Sequence, residues 1–335
     1  FFFKQKTAYE ILTCDWEFRR VLFRSRTARV RLLELASHRL VAERVRNGIP
    51  RRPQFGGDPA LQRAVTHRYW RHKHANSPPL PPAVNSPGSR RIRLGYISAD
   101  FREHAMPRLA ARLFELHDRT RFEVFGFSHG PDDRSAMRGR LKRAFDAFVD
   151  IRQMTDIEAA RQIRAREIDI LVDLTGHTKG ERLDVLALRP APVQAHYLGY
   201  PGTLGVDFVD YLIADQFVAP SNLQDGFAEK LVYLPGSYQA NDRDRPVADD
   251  RPTRARCGLP DDAFVFCSFN AAYKIAPTVF DIWVRLAKAV PRAVLWVFAD
   301  NAWAESNLRR EAQARGLSPE RDRKSTRLNS SHMSE

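Results

Sequence analysis

From Arg91 onward, short apolar runs alternate with amphipathic stretches. The runs Ile92–Ser98, Phe122–Phe127, Ile168–Leu174, Val193–Leu198, Val209–Ala214 and Lys230–Leu234 have the length and the branched and aromatic content of strands. Between them, Leu109–Leu116, Ala136–Phe148 and Ile157–Arg166 repeat apolar positions at a helical period. This alternation predicts an α/β fold on a doubly wound parallel sheet. A polar, Pro-containing segment, Gln239–Arg256, precedes a second alternation: a strand Phe264–Phe269, a helix Pro277–Val290, a strand Val294–Phe298 and a helix Glu305–Ala314. Two β/α repeats are too few to complete a Rossmann-like sheet, so the second unit is expected to be incomplete. Upstream, Val30–Val45 and Pro59–His72 read as helices ahead of a Pro-rich linker, Ser77–Ser89.

The two ends change this picture. Asp322–His332 reads codon for codon as a translated sequencing adapter, and Val21–Ser25 as the matching reverse-strand end. Residues 1–25 and 322–335 are therefore set aside as artefact. The expected organisation is a helical segment at 26–76, a linker at 77–90, a first Rossmann-like domain at 91–238, a connection at 239–261 and a truncated second domain at 262–321.

Composition, with 43% hydrophobic and 28% charged residues, is that of a globular protein, and no apolar run is long enough to span a bilayer. The formal charge of +14 comes mostly from arginines at positions such as Arg138, Arg143, Arg161, Arg164 and Arg166, read as solvent-facing helical sites. No groove-reading or stacking motif accompanies that charge, which argues against nucleic acid as a partner. Cys257 and Cys267 remain once Cys14 is set aside, without metal-ligand spacing, and a reducing, cytoplasmic setting fits them.

Four loops follow strand carboxyl ends, where open α/β sheets bind ligands. Ser98–Met106 carries Asp100 and His104 ahead of a helix; the histidine is a candidate general base or a capping residue at a helix start. Thr175–Gly180, TGHTKG, places His177 between glycines, with Asp173 before it as either a reacting or a buried structural carboxylate. Gly199–Gly205, GYPGTLG, brings Tyr200, Pro201 and Thr203 to a tight turn. In the second unit Asn270–Ala276, NAAYKIA, enters a helix opened by Pro277. Free backbone N–H groups, the helix dipole and Lys274 suit an anion there, with an exposed surface lysine as the alternative.

Together the segments IRLGYISADFREHA, RFEVFGFSHGPDD, IDILVDLTGHTKG, LRPAPVQAHYLGYPGTLGVDFVDYLIAD, EKLVYLP and FVFCSFNAAYKIAP closely resemble protein O-GlcNAc transferases of the SPINDLY type, in order and at natural spacing over residues 91 to about 317. The resemblance implies a GT-B architecture and inverting transfer of N-acetylglucosamine from UDP-GlcNAc to Ser or Thr hydroxyls of proteins, with no metal or other cofactor. His104 matches the family's active-site histidine, while His177 and the Gly199, Tyr200, Pro201 turn match residues near sugar and acceptor. Lys274 matches the lysine at the donor diphosphate, with Asn270 and Tyr273 beside it on the donor side. His104, Asp173 and a water-mediated path all meet the requirement for a base. Ala271 departs from the amide many members carry. A later donor loop is expected beyond Arg321 and tetratricopeptide repeats that recruit acceptor proteins before Arg26, so the chain as written is expected to be inactive. A GT-B sugar-nucleotide enzyme with a non-protein acceptor, or a non-catalytic scaffold, are the alternative readings.

Overall fold

The computed structural model describes residues 59–73, 79–81, 90–245, 250–270, 272–299, 301–318 and 322–325. The helix expected at Val30–Val45, Cys14, Ala271 and most of the 77–90 linker lie outside them. The chain divides into two compact units after Arg245.

Unit 1 opens with helix α1 (Pro59–Lys73). It continues through β1 (Ile92–Ser98), α2 (Ala105–Glu115), β2 (Phe122–Ser128), α3 (Ala136–Ala144), β3 (Ala147–Asp150), α4 (Asp156–Arg164), β4 (Ile170–Asp173), α5 (Leu183–Ala187), β5 (Val193–Tyr197), β6 (Tyr211–Ala214) and β7 (Lys230–Tyr233). The seven strands are ordered β3-β2-β1-β4-β5-β6-β7, and all of their pairings are parallel. That is the doubly wound sheet expected from the alternation. Successive side chains of a strand face opposite sides, and the core divides accordingly. Ile97, Phe125, Phe127 and Leu171 pack with α4 and α5 on one face, while Leu94, Tyr96, Val124 and Val172 pack with α2 and α3 on the other. Burial on both faces explains why these strands read as continuous apolar runs.

Two expectations are corrected. The helical period carries Ala136–Phe148 as one helix, but α3 ends at Ala144, and Phe145 turns to extended backbone at its C-cap. Asp146 accepts a hydrogen bond from the Val124 N–H at 2.7 Å, and the chain continues as β3 along β2. Arg138, read as solvent-facing, is 1% exposed. Its guanidinium donates to the Phe101 carbonyl (2.8 Å) and Ser128 Oγ (3.0 Å), pairs with Asp132 and lies over the Phe148 ring.

No helix lies within the β5–β6 crossover, 198–210. Helix α1 comes against this crossover instead: Trp70 is buried edge-on against Phe208, and Gln62 donates to the Thr203 carbonyl at 2.8 Å. Leu80, within the expected linker, also joins the core and bonds the Leu188 carbonyl.

Unit 2 contains β8 (Val265–Ser268), α6 (Pro277–Ala289), β9 (Val294–Phe298), α7 (Ala302–Ala314) and β10 (Asp322–Ser325). They form a three-stranded parallel sheet in the order β10-β9-β8, packed on Phe280, Val284 and Ala287 of α6. Its edge strand β10 thus takes in residues that the codon-level match places in the adapter.

Candidate active site

Strand order in unit 1 reverses between β1 and β4, the point at which doubly wound sheets bind ligands beyond their carboxyl ends. The loops after β1, β4 and β5 meet there. The Ala99 N–H donates to Thr175 Oγ1 at 3.2 Å, joining the first two. Gly199 joins the third, because a Cβ at that position would lie 2.0 Å from the Leu174 carbonyl oxygen. Only glycine permits backbone to approach so closely.

In the first loop His104 is the N-cap of α2, its Nδ1 accepting from the Met106 N–H at 3.3 Å. The same nitrogen lies 3.5 Å from Asp100 Oδ2. Nδ1 therefore has two claimants of opposite demand. Bare, it caps the helix and leaves the proton on Nε2; protonated, it faces a carboxylate and frees Nε2 as a base. Asp100 is buried while the His104 side chain is 40% exposed, so the reactive end of the pair is the imidazole.

The second loop begins with Asp173, 2% exposed, which accepts from the N–H groups of Thr175 (3.2 Å) and Gly176 (2.6 Å). Burial pushes its carboxyl up to about 7, against those two bonds and with help from the charges of Glu181 and Asp100. Asp173 thus lies beneath the TGHTKG turn and shapes it. His177 sits above, its Nε2 2.9 Å from the Leu204 carbonyl and its ring edge-on to Tyr200. A carbonyl only accepts, so Nε2 carries the proton. Burial holds this imidazole below its ordinary pKa, partly offset by the bond to Leu204.

The third loop contains Gly199, Tyr200 and Pro201, with Pro201 exposed and the Tyr200 hydroxyl hydrogen-bonded to Gln62 of α1. Thr203 is fully buried and directed inward: its hydroxyl donates to Glu229 Oε2 (2.7 Å) and accepts from the N–H groups of Gly205 (3.0 Å) and Ala228 (3.1 Å). Its place among substrate contacts is therefore corrected to that of a support. Glu229, 1% exposed, also takes the Leu204 N–H at 2.7 Å. Gly205 adopts φ +67°, and a Cβ there would meet Thr66 Oγ1 of α1 at 1.7 Å.

Unit 2 presents a different kind of loop. Asn270 and Lys274 are exposed, and Lys274 ends a 3₁₀ turn, Ala272–Lys274, while the side chain of Tyr273 lies outside the described residues. Helix α6 follows with Ala276 as N-cap, Pro277 in its first turn and no side-chain cap. Its first N–H groups therefore have no side-chain cap, an arrangement chemically suited to an anion. Among the described residues no three His, Cys, Asp or Glu side chains gather as metal ligands, and no helix is long and apolar enough to cross a membrane.

Glu229, Gln62 and Arg138 are the supporting residues missed by sequence reasoning. Glu229 stands in the EKLVYLP segment, but its partners lie 25 residues away, and no local pattern marks it.

The profile of glycosyl transferase family 41 matches residues 72–251 and 244–326. The chain is 34% identical over 278 residues to a probable UDP-N-acetylglucosamine–peptide N-acetylglucosaminyltransferase SEC of Arabidopsis thaliana, covering 78% of this chain and 28% of that protein. It is also 34% identical over 211 residues to the Arabidopsis SPINDLY protein of the same description, covering 62% of this chain and 23% of that protein. Among solved structures, a mutant O-GlcNAc transferase of Thermobaculum terrenum superposes with a TM-score of 0.71 at 28% identity, covering 95% of this chain and 60% of the other. The chain thus spans less than a third of either curated relative.

Proposed function

The chain belongs to glycosyl transferase family 41, and from that premise we propose that it is the sugar-transfer portion of an enzyme that moves N-acetylglucosamine from UDP-GlcNAc to Ser or Thr hydroxyls of proteins. The observation that carries this reading is the meeting of the His104, His177 and Tyr200 loops at the β1/β4 reversal, in a chain whose relatives are described as peptide N-acetylglucosaminyltransferases.

An inverting displacement needs a positioned hydroxyl, an acceptor for its proton and neutralisation of the departing diphosphate. His104 suits the proton step: with Nδ1–H toward Asp100, Nε2 is the basic nitrogen, as in orienting carboxylate–histidine pairs. His177 contributes its remaining acceptor, Nδ1, and Tyr200 a ring wall. Lys274 and the open N-terminus of α6 suit the diphosphate, where preorganised donors are typically worth several kcal/mol of barrier. Asn270 and Tyr273 are proposed beside them as donor contacts. On this reading UDP-GlcNAc and acceptor proteins are the partners, tetratricopeptide repeats recruit the acceptor, no metal takes part, and the setting is cytoplasmic.

The test is transfer of labelled N-acetylglucosamine to acceptor protein by the product of the full gene. Transfer that disappears in His104→Ala and falls steeply in Lys274→Ala is expected. Undiminished transfer in both variants, or transfer only to non-protein acceptors, overturns the reading.

A further inference from the structure

Beneath the GYPGTLG turn the hydrogen bonds run in one direction. His177 Nε2–H donates to the Leu204 carbonyl at 2.9 Å. The N–H of that same peptide group, on Gly205, donates to Thr203 Oγ1 at 3.0 Å, and the Thr203 hydroxyl donates to Glu229 Oε2 at 2.7 Å. Glu229 Oε1 takes the Leu204 N–H, which holds the neighbouring peptide plane as well. We infer that Glu229 is a positioning residue that fixes the Nε2–H tautomer of His177 through this peptide relay, and so presents Nδ1 to ligand as a bare acceptor.

The polarity leaves no freedom along the chain. A carbonyl oxygen only accepts, an amide only donates, and the one group able to reverse, the Thr203 hydroxyl, is fixed by a carboxylate on one side and two N–H donors on the other. Hydrogen bonds aligned in series polarise one another, most strongly away from water, and Thr203, Leu204 and Glu229 are all buried. A carboxylate that orients a histidine directly is a familiar device; here a threonine and a peptide bond stand between. Nδ1 of His177 has no protein partner among the described residues, so the relay determines what that nitrogen offers. His196 Nε2, 3.8 Å from Glu229 Oε1, is buried and has no hydrogen bond. It is the group placed to compete for Glu229.

Use of Nδ1 in sugar transfer rests on the function proposed above, whereas the relay does not. The experiment is therefore made without sugar nucleotide, on the full chain labelled with ¹⁵N-histidine. Long-range proton–nitrogen correlations report the tautomer, and a His177→Gln spectrum assigns the signal. Expected are an Nε2–H tautomer in the unmodified chain, a mixed or inverted tautomer in Glu229→Gln and Thr203→Val, and restoration of the original signal in Thr203→Ser. An Nδ1–H tautomer in the unmodified chain overturns the relay without any variant. So does an unchanged tautomer in folded Glu229→Gln or Thr203→Val. If Glu229→Gln does not fold, the contrast of Thr203→Val with Thr203→Ser decides. Loss of transfer with the tautomers as expected would count against the transferase reading alone.

Discussion

The turn after β5 and the turn after β8 solve opposite problems. In Gly199–Gly205 the polar groups are spent internally: Thr203, Leu204 and Gly205 bond Glu229 or one another, and α1 presses on the outside. In Asn270–Ala276, among the described residues, Asn270 and Lys274 are exposed and the first turn of α6 has no side-chain cap. A group that must keep its geometry while bonds change is best fixed in advance. A group that must capture an anion is most effective when its donors have no competing partner. On the proposed reading, internal support in the first turn and an uncapped helix start in the second would serve these two tasks separately.

The largest test of that contrast is pH. The folded chain holds a proton on Asp173 up to about 7, which an unfolded chain releases near 3.8. This group therefore removes stability as pH rises from about 4 to 7, by at most roughly 4 kcal/mol at ~1.4 per pKa unit. His129 and His196, both lowered to about 3 chiefly by burial, act oppositely: the unfolded chain binds their protons first, so they add stability as pH rises through about 3 to 6.5. The informative quantity is thus the difference between Asp173→Asn and the unmodified chain. The variant should gain relative stability steadily across the carboxyl's window, as measured by urea unfolding of unit 1. A difference that stays flat from pH 4 to 8 would mean that Asp173 is charged in the fold.

Next in size is Arg138→Met. It removes a buried cation from the Phe101 carbonyl, which lies in the His104 loop, and from Ser128 Oγ at the end of β2. Hydrogen bonds to a charged group are each worth about 1.5–3 kcal/mol, so a loss of about 3 kcal/mol in unit 1 is expected. Native-state hydrogen exchange of β1 and β2 amides would read it. The same change at exposed Arg285 of α6 should stay within about 0.5 kcal/mol. Equal losses at the two sites would erase the distinction drawn between the units.

Arg138 also shows what was legible in the sequence. Period and apolar runs located β1 to the residue and pointed to a parallel, doubly wound sheet, because a strand buried on both faces writes that burial into consecutive positions. Loops carrying His177 and Tyr200 were legible because glycine and proline mark turns locally, and that of His104 because it follows the end of a strand. The limit came where partners are distant. Phe145 and Phe148 extend a helical period that the structure breaks for β3, because Val124 of a neighbouring strand claims Asp146. Glu229 ahead of β7 has the sequence context of a surface residue until Thr203 and Leu204 are brought over it. Asp173 was readable as a reacting or a structural carboxylate, and the burial and two backbone donors that bear on that choice come only from the fold.

On the open side, Lys274→Ala should weaken UDP binding about tenfold, or ~1.4 kcal/mol, a typical worth for one charge-assisted contact to phosphate. Unit 2 stability should barely change, since the side chain is exposed. Calorimetric titration of UDP checks the first outcome and thermal unfolding the second. A stability loss without loss of binding would make Lys274 structural.

The smallest effect separates the two tasks most sharply. Ala276 is the N-cap of α6 and makes no side-chain bond to the first turn. Ala276→Asp would supply that bond, along with a negative charge at the positive end of the helix, for about 1 kcal/mol of added stability. The same carboxylate would occupy the N–H groups proposed for the diphosphate and repel it, so UDP binding should fall as thermal stability rises. Ala276→Ser separates the causes, because it caps without charge: similar stabilisation with a smaller loss of binding is expected. If both caps stabilise the helix and leave UDP affinity unchanged, the donors of α6 are not the anion site, and the open loop has no counterpart to the preorganised one.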